Sequence, residues 1–218
     1  MSPRVKICCI SSIEEARHAV LHGAAALGLV SDMPSGPGVI PDDLISEIAR
    51  SVPPPISTFL LTARQDADAI AEQHAVCGTT TLQMVDSVSP VELRRLRRKL
   101  PHVKLVQVVH VLGESSLDEA KSLESLVDAL LLDSGNPSLH VKELGGTGRV
   151  HDWDVSRSIC TGVKLPVFLA GGLRSTNVTQ AIRHVRPFGL DLCSGVRTDG
   201  RLDMAKLDSF MRTVRDAA

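Results

Sequence analysis

Eight short apolar runs, each followed by an amphipathic segment, constrain the fold of this 218-residue chain more than any other feature of its sequence. The runs cover residues 5–9, 25–31, 56–62, 80–85, 105–111, 129–134, 167–171 and 190–196. Runs this short, apolar at almost every position, suit strands buried on both faces. The intervening segments carry helix punctuation. Ser11 and Ser12, with Glu14 and Glu15, form two overlapping capping boxes ahead of Ala16, Ala19 and Val20, and Gly23 is the stop. Pro41-Asp42-Asp43 opens a segment closed by Pro53, Pro54 and Pro55, and Ser89 with Glu92 forms another capping box. Further helices are expected from near Asp66, Ser115, Trp153, Ser175 and Asp203. The strand–helix rhythm runs without a linker or composition break. It predicts an α/β chain folded as a single (β/α)8 TIM barrel over residues 1–218. An open doubly wound sheet is the competitor, but it calls for a glycine fingerprint after the first strand, where this chain has Cys8-Cys9-Ile10-Ser11-Ser12.

Composition removes several classes of function. The 24 basic and 25 acidic side chains leave a net charge of -1, so there is no electrostatic footprint for nucleic acid or an anionic membrane, and any anionic ligand must be held locally. Four Phe, one Trp and no Tyr leave few rings for stacking on bases. The five cysteines (Cys8, Cys9, Cys77, Cys160, Cys193) are scattered and show no metal-ligand spacing, which fits free thiols in a reducing cytoplasm; Cys77, Cys160 and Cys193 are read as packed thiols. No apolar stretch has the length of a membrane span or the pattern of a secretion signal, so a cytoplasmic protein is expected. His18 and His22 share a helix face but lack a third ligand, and no metal is expected. The basic stretch from Arg94 to Lys99 reads as the solvated face of a helix anchored by Leu93 and Leu96.

In such a barrel the chemistry sits at the C-terminal ends of the strands, which singles out Cys8 and Cys9, Ser31, Asp86, His110, Asp133 and Ser134, Gly171 and Gly172, and Ser194 and Gly195. The glycines after the seventh and eighth runs are placed where backbone N–H groups can approach a phosphate closely, although glycine also serves simple tight turns. Cys8 and Asp133, at the ends of the first and sixth runs, can converge on one substrate as base and acid, although a lone cysteine is usually just a small apolar side chain.

Lys6-Ile7-Cys8 with Ser11-Ser12, Leu131-Leu132-Asp133-Ser134, Gly145-Gly146-Thr147-Gly148 with Asp152-Trp153, Phe168-Leu169-Ala170-Gly171-Gly172-Leu173 with Asn177-Val178, and Ser194-Gly195-Val196 resemble, in order along the whole chain, the phosphoribosylanthranilate isomerase family of tryptophan biosynthesis. The resemblance implies an Amadori rearrangement of a phosphoribosylated amine, aminoaldose to aminoketose, with neither metal nor organic cofactor. It implies Asp133 as the general acid that opens the furanose ring and Cys8 as the general base that takes the proton from the adjacent carbon. Gly171, Gly172, Ser194 and Gly195 would hold the phosphate, while a 145–148 loop containing Gly146 closes over the substrate. Trp153 is expected to fix the start of a helix.

The departures concentrate on the aromatic half of the substrate. Cys9 stands where the family has glycine, Pro37 where it has the arginine near the anthranilate carboxylate, Val85 and Asp86 where it has His-Gly, His110 where it has an arginine, and Arg197 where it has a glutamate. Two alternatives therefore accompany the isomerase reading: a divergent paralogue acting on another phosphosugar, and a phosphosugar-binding protein without this turnover. A carboxylate needs a cationic or multiple-donor partner. His110, Arg197 and Arg149 are the expected candidates, at least one facing the mouth; if all three point away and apolar side chains such as Val85 and Met84 line that wall, the expectation shifts to a substrate with a neutral or smaller group.

Overall fold

The computed structural model describes residues 2–217. Eight parallel strands close on themselves in chain order: β1 (Arg4–Ile7), β2 (Ala26–Val30), β3 (Ser57–Thr62), β4 (Thr81–Met84), β5 (Lys104–His110), β6 (Ala129–Asp133), β7 (Val167–Leu169) and β8 (Gly189–Leu192). Closure is made by β8 on β1, with Arg4 opposite Gly189 and Ile7 opposite Leu192. The helices are α1 (Ile13–Leu21), α2 (Asp42–Ser51), α3 (Ala67–Cys77), α4 (Pro90–Lys99), α5 (Ser115–Leu123), α6 (Trp153–Gly162), α7 (Val178–Val185) and α8 (Met204–Asp216). Each of the eight apolar runs overlaps one strand, three of which begin one residue earlier than the run, and the closed barrel excludes the open sheet. Among the described residues no helix is long and apolar enough to cross a membrane.

The punctuation works largely as its chemistry dictates. Ser12 Oγ accepts the Glu15 N–H, and the Glu15 carboxylate reaches back to the Ser11 N–H. Of the two expected boxes only that of Ser12 and Glu15 operates, its carboxylate reaching one residue further back than expected, while Glu14 takes no part in the cap. Asp66, Asp152 and Asp203 each accept two N–H groups of the turn that follows, a capping contribution of about 0.5–2 kcal/mol apiece. Helix α7 starts three residues later than Ser175 suggested. Its N-cap, Asn177, uses its side chain on the preceding loop instead, accepting the Arg174 N–H at 2.8 Å and donating to the Gly172 carbonyl at 3.0 Å.

The strands are buried on both faces. Leu27, Leu29, Leu60, Leu82, Leu130 and Leu132 pack outward under the helices with Ile45, Ile48, Leu93 and Phe210. Leu93 and Leu96 anchor α4, whose arginines point outward into ion pairs: Arg95 with Glu92 and Asp68, and Arg97 with Asp128. Alternate residues, among them Leu61, Val85, Val108 and Leu131, face a second cluster inside the barrel. There the fully buried Lys6 places Nζ 2.8 Å from Asp191 and 5.3 Å from the centre of the Phe59 ring. Burial, the largest single influence, would lower the Lys6 pKa, but attraction to Asp191, Cys8 and Cys9 and the hydrogen bond to Asp191 together outweigh it and raise the pKa, so the lysine stays charged.

One expected run does not remain a strand. After Leu192 the chain turns through a short 3-10 segment, Ser194–Val196, and then forms a hairpin of β9 (Arg197–Thr198) and β10 (Arg201–Leu202). Asp199-Gly200 makes its turn, both residues having positive φ, 48° and 77°, as such two-residue hairpins require.

Candidate active site

A cavity opens at the C-terminal ends of the strands and encloses about 690 Å³, open space at its mouth included. Cys8, immediately after β1, and Asp133, the last residue of β6, both line it and are both buried. Asp133 Oδ1 accepts the Ser134 N–H at 2.8 Å. Burial pushes the Asp133 carboxyl above the ordinary carboxylate range, while the Ser134 N–H and nearby His110 oppose the shift without cancelling it. A carboxyl that holds its proton more tightly than usual suits a general acid.

The base is placed by backbone contacts. The Cys8 N–H donates to the Leu192 carbonyl at 2.9 Å, tying β1 to the end of β8. At Gly28 on β2, a Cβ would stand 2.8 Å from Cys8 Sγ and 2.9 Å from Lys6 Nζ, so a side chain there would displace both groups. Cys9 has φ 61°, in the left-handed region, which explains physically why glycine fits this position in the family. Cys9→Gly should therefore keep turnover within about twofold and change stability by no more than about 1 kcal/mol, read from kcat and Tm. A tenfold fall in kcat would make Cys9 part of the chemistry.

The opposite rim is built from the loops after β7 and β8. Gly171 and Gly172 have φ 80° and 62°, and they line the cavity with Ser194 and Gly195. At Gly195 the requirement is packing: a Cβ would lie 2.0 Å from the Leu173 carbonyl oxygen, so the two loops touch only because this residue has no side chain. Among the described residues, the N–H groups of Gly172 and Gly195 donate to no protein carbonyl. The segment after β6 covers the cavity from above and contributes Gly145, Gly146, Thr147 and Gly148 to its lining. Thr147 meets Ser134 at 2.7 Å, and Ser35 Oγ donates to the Lys142 carbonyl at 2.5 Å. A Cβ at Gly146 would sit 2.4 Å from Pro37 Cδ, so the covering segment rests directly on the residue that stands in the arginine position.

The sequence model of the family described as N-(5'-phosphoribosyl)anthranilate (PRA) isomerase matches residues 5–213. This chain belongs to the phosphoribosylanthranilate isomerase family. It is 38% identical over 214 residues to N-(5'-phosphoribosyl)anthranilate isomerase of Desulforudis audaxviator, covering 98% of both chains. It is 36% identical over 215 residues to N-(5'-phosphoribosyl)anthranilate isomerase 2 of Methanosarcina mazei, covering 98% of this chain and 94% of that one. Among solved structures, the phosphoribosylanthranilate isomerase of Thermotoga maritima superposes with a TM-score of 0.84 at 25% identity, covering 98% of this chain and 99% of that one.

Against that family background, the three cations expected at the mouth all fall elsewhere. His110 is buried beneath Gly135, and its Nε2 donates to the Val85 carbonyl at 3.0 Å. Arg197 is 9% exposed and turned under the site. It pairs with Glu15 at 3.0 Å and donates to the carbonyls of Cys8, Cys9 and Gly200, so β9 directs it into the barrel wall rather than into the mouth. Arg149 points outward to Glu143. Among the described residues no Lys, Arg or His lines the cavity. Asp86 is paired with Lys142, and Val85 lines the wall while Met84 is fully buried.

Several other placements are informative. Cys193, expected to be a packed thiol, lines the cavity and lies within hydrogen-bond reach of Cys9; the contact raises the Cys9 pKa and lowers that of Cys193, which also faces Arg197. Trp153 begins α6 and packs on the core, as expected. His22 Nδ1 lies 2.7 Å from the His18 carbonyl, a contact within one helix end. The sequence reading missed Glu15, Asn177 and the Lys6–Asp191 pair as parts of the site's support, and Gln83 and Asp191 as cavity-lining groups. Lys6 and Asn177 stand in the sequence only as members of the family motifs, and Glu15 only in a capping box that marks a helix start.

Proposed function

We propose that this protein converts N-(5'-phosphoribosyl)anthranilate to the corresponding aminoketose by an Amadori rearrangement, a step of tryptophan biosynthesis carried out in the cytoplasm. The observation that carries the reading is that Cys8 and Asp133, 125 positions apart in sequence, line one cavity whose far rim presents unpartnered glycine N–H groups. In the proposed reaction the phosphate binds against Gly171, Gly172, Ser194 and Gly195, and the ribose lies between Cys8 and Asp133. Asp133 gives its proton to the furanose ring oxygen as the bond from that oxygen to C1 breaks, leaving a protonated Schiff base between C1 and the anthranilate nitrogen. Cys8 then removes the proton from C2. The electron pair moves into a C1–C2 double bond, and the resulting enolamine tautomerises to the ketone. No electrons enter or leave. Gly146 and its neighbours exclude water, which would hydrolyse the Schiff base.

The direct test is turnover of purified protein on N-(5'-phosphoribosyl)anthranilate, with the product identified by mass and by its ketone. Inorganic phosphate should inhibit competitively, because it occupies the same glycine loops. Turnover of other phosphoribosylated amines with none on the anthranilate compound would favour the divergent-paralogue reading, and tight phosphosugar binding without any turnover would favour the binding-protein reading.

A further inference from the structure

The absence of a cation from the cavity leaves the substrate carboxylate without an evident partner, and the wall opposite the phosphate loops contains a group suited to that task. Gln83 lies on β4, four strands from β8 and hence across the barrel from the rim formed by Ser194 and Gly195. It is 2% exposed, it lines the cavity, and its side-chain Oε1 has no hydrogen-bond partner. A buried amide end without a partner is costly unless a ligand completes it.

Its surroundings narrow the possibilities. Of the two other buried glutamines, Gln73 is held by Thr62 and Asp42, while Gln107 donates its amide N–H groups to the carbonyls of Met84, Asp86 and Val108, and its own unpartnered Oε1 does not line the cavity. The remaining polar side chains of the lining are mostly engaged as well. Asp191 holds Lys6, Ser35 holds the covering segment, and Thr147 meets Ser134. Around Gln83 the wall is apolar, with Leu61, Val85, Val108 and Leu131, a surface for a flat ring but not for its charge. An amide carries two N–H donors. It can bind a carboxylate without a formal charge, and turning the amide end over places those donors where Oε1 now stands.

On the reading of the substrate given above, we propose that Gln83 is the specificity-determining partner of the anthranilate carboxylate in this chain, taking the place left open by Pro37. The test compares N-(5'-phosphoribosyl)anthranilate with N-(5'-phosphoribosyl)aniline, which lacks only the carboxylate, on the wild-type protein and on Gln83→Met and Gln83→Glu. Gln83→Met should lower kcat/KM on the anthranilate compound about 10- to 100-fold, mainly through KM, while leaving the aniline compound unchanged. Gln83→Glu should lose more on the anthranilate compound, since two carboxylates would face each other, and again little on the aniline. Retained turnover of the aniline compound also reports that each variant is folded. Equal losses on both substrates, or no loss on either, overturn the assignment while leaving the isomerase reading intact. A wild-type protein inactive on the anthranilate compound overturns that reading, and the Gln83 assignment with it.

Discussion

Asp133→Asn should remove nearly all turnover and yet be more stable than the wild-type protein at neutral pH. The two effects have one cause. A carboxyl buried in the cavity wall keeps its proton above the ordinary carboxylate range, which fits it to protonate a ring oxygen and also makes its ionisation costly to the fold. Below about pH 3.9, the ordinary value for an aspartate, the group is protonated in both folded and unfolded chains and imposes no penalty. As pH rises above that value the unfolded chain ionises freely while the folded one resists, so stability is lost progressively up to the raised folded pKa. Asparagine cannot ionise, and its Oδ1 can still accept the Ser134 N–H. The stability difference should therefore be absent near pH 3.5 and grow toward neutrality, as denaturant titrations at several pH values would show. Turnover should fall by about two to four orders of magnitude, and Cys8→Ser should match that fall without the stability gain. An Asn variant less stable than wild type at pH 7, or a difference independent of pH, would contradict the buried-acid assignment. Near-wild-type turnover in Cys8→Ser would move the base role to Cys9.

Strand positions and side-chain partners were not equally legible in the sequence. Apolar runs and caps locate strands and helix starts because both are local signals. That is why Cys8, Asp133 and the glycine loops could be assigned to one rim from their places at strand ends alone. Side-chain direction is not local. Arg197 follows the eighth strand by a few residues, as a mouth residue could, but its partner Glu15 lies 182 positions earlier, and Lys6 finds Asp191 at a separation of 185. His110 ends β5 at the rim, yet the carbonyl that holds it belongs to Val85 on the neighbouring strand's exit. Gln83, which matches the glutamine of the family's Gln-Leu-His-Gly, gives no sign in the sequence that it lines the cavity, for the opposite reason: it sits inside a strand among apolar residues, and only the lack of a hydrogen-bond partner inside a cavity sets it apart. The Asp199-Gly200 turn was readable as a hairpin signal, but the strands it joins are two residues each, too short to show a period.

Arg197 leads to the second large effect, opposite in kind from what a substrate-binding arginine would give. Its guanidinium fork holds the Cys8 and Cys9 carbonyls from behind while pairing with Glu15, which also accepts the N–H groups of Ser11 and Leu202. One carboxylate and one guanidinium thus fasten the turn that carries the base to α1 and to the β9–β10 hairpin. Replacing Arg197 by Met leaves the Glu15 carboxylate half-buried without its cation and should destabilise the protein by about 3–5 kcal/mol. The substrate loses no contact, so KM should stay within about twofold, while a slackened Cys8 should lower kcat about 10- to 100-fold. Arg197→Lys separates the two roles, because an ammonium can pair with Glu15 but cannot fork onto two carbonyls as well. It should recover much of the stability and little of the kcat. If Arg197→Met instead raises KM at unchanged kcat, the side chain reaches the substrate during turnover, and Cys8 must be held in place by its Leu192 hydrogen bond alone.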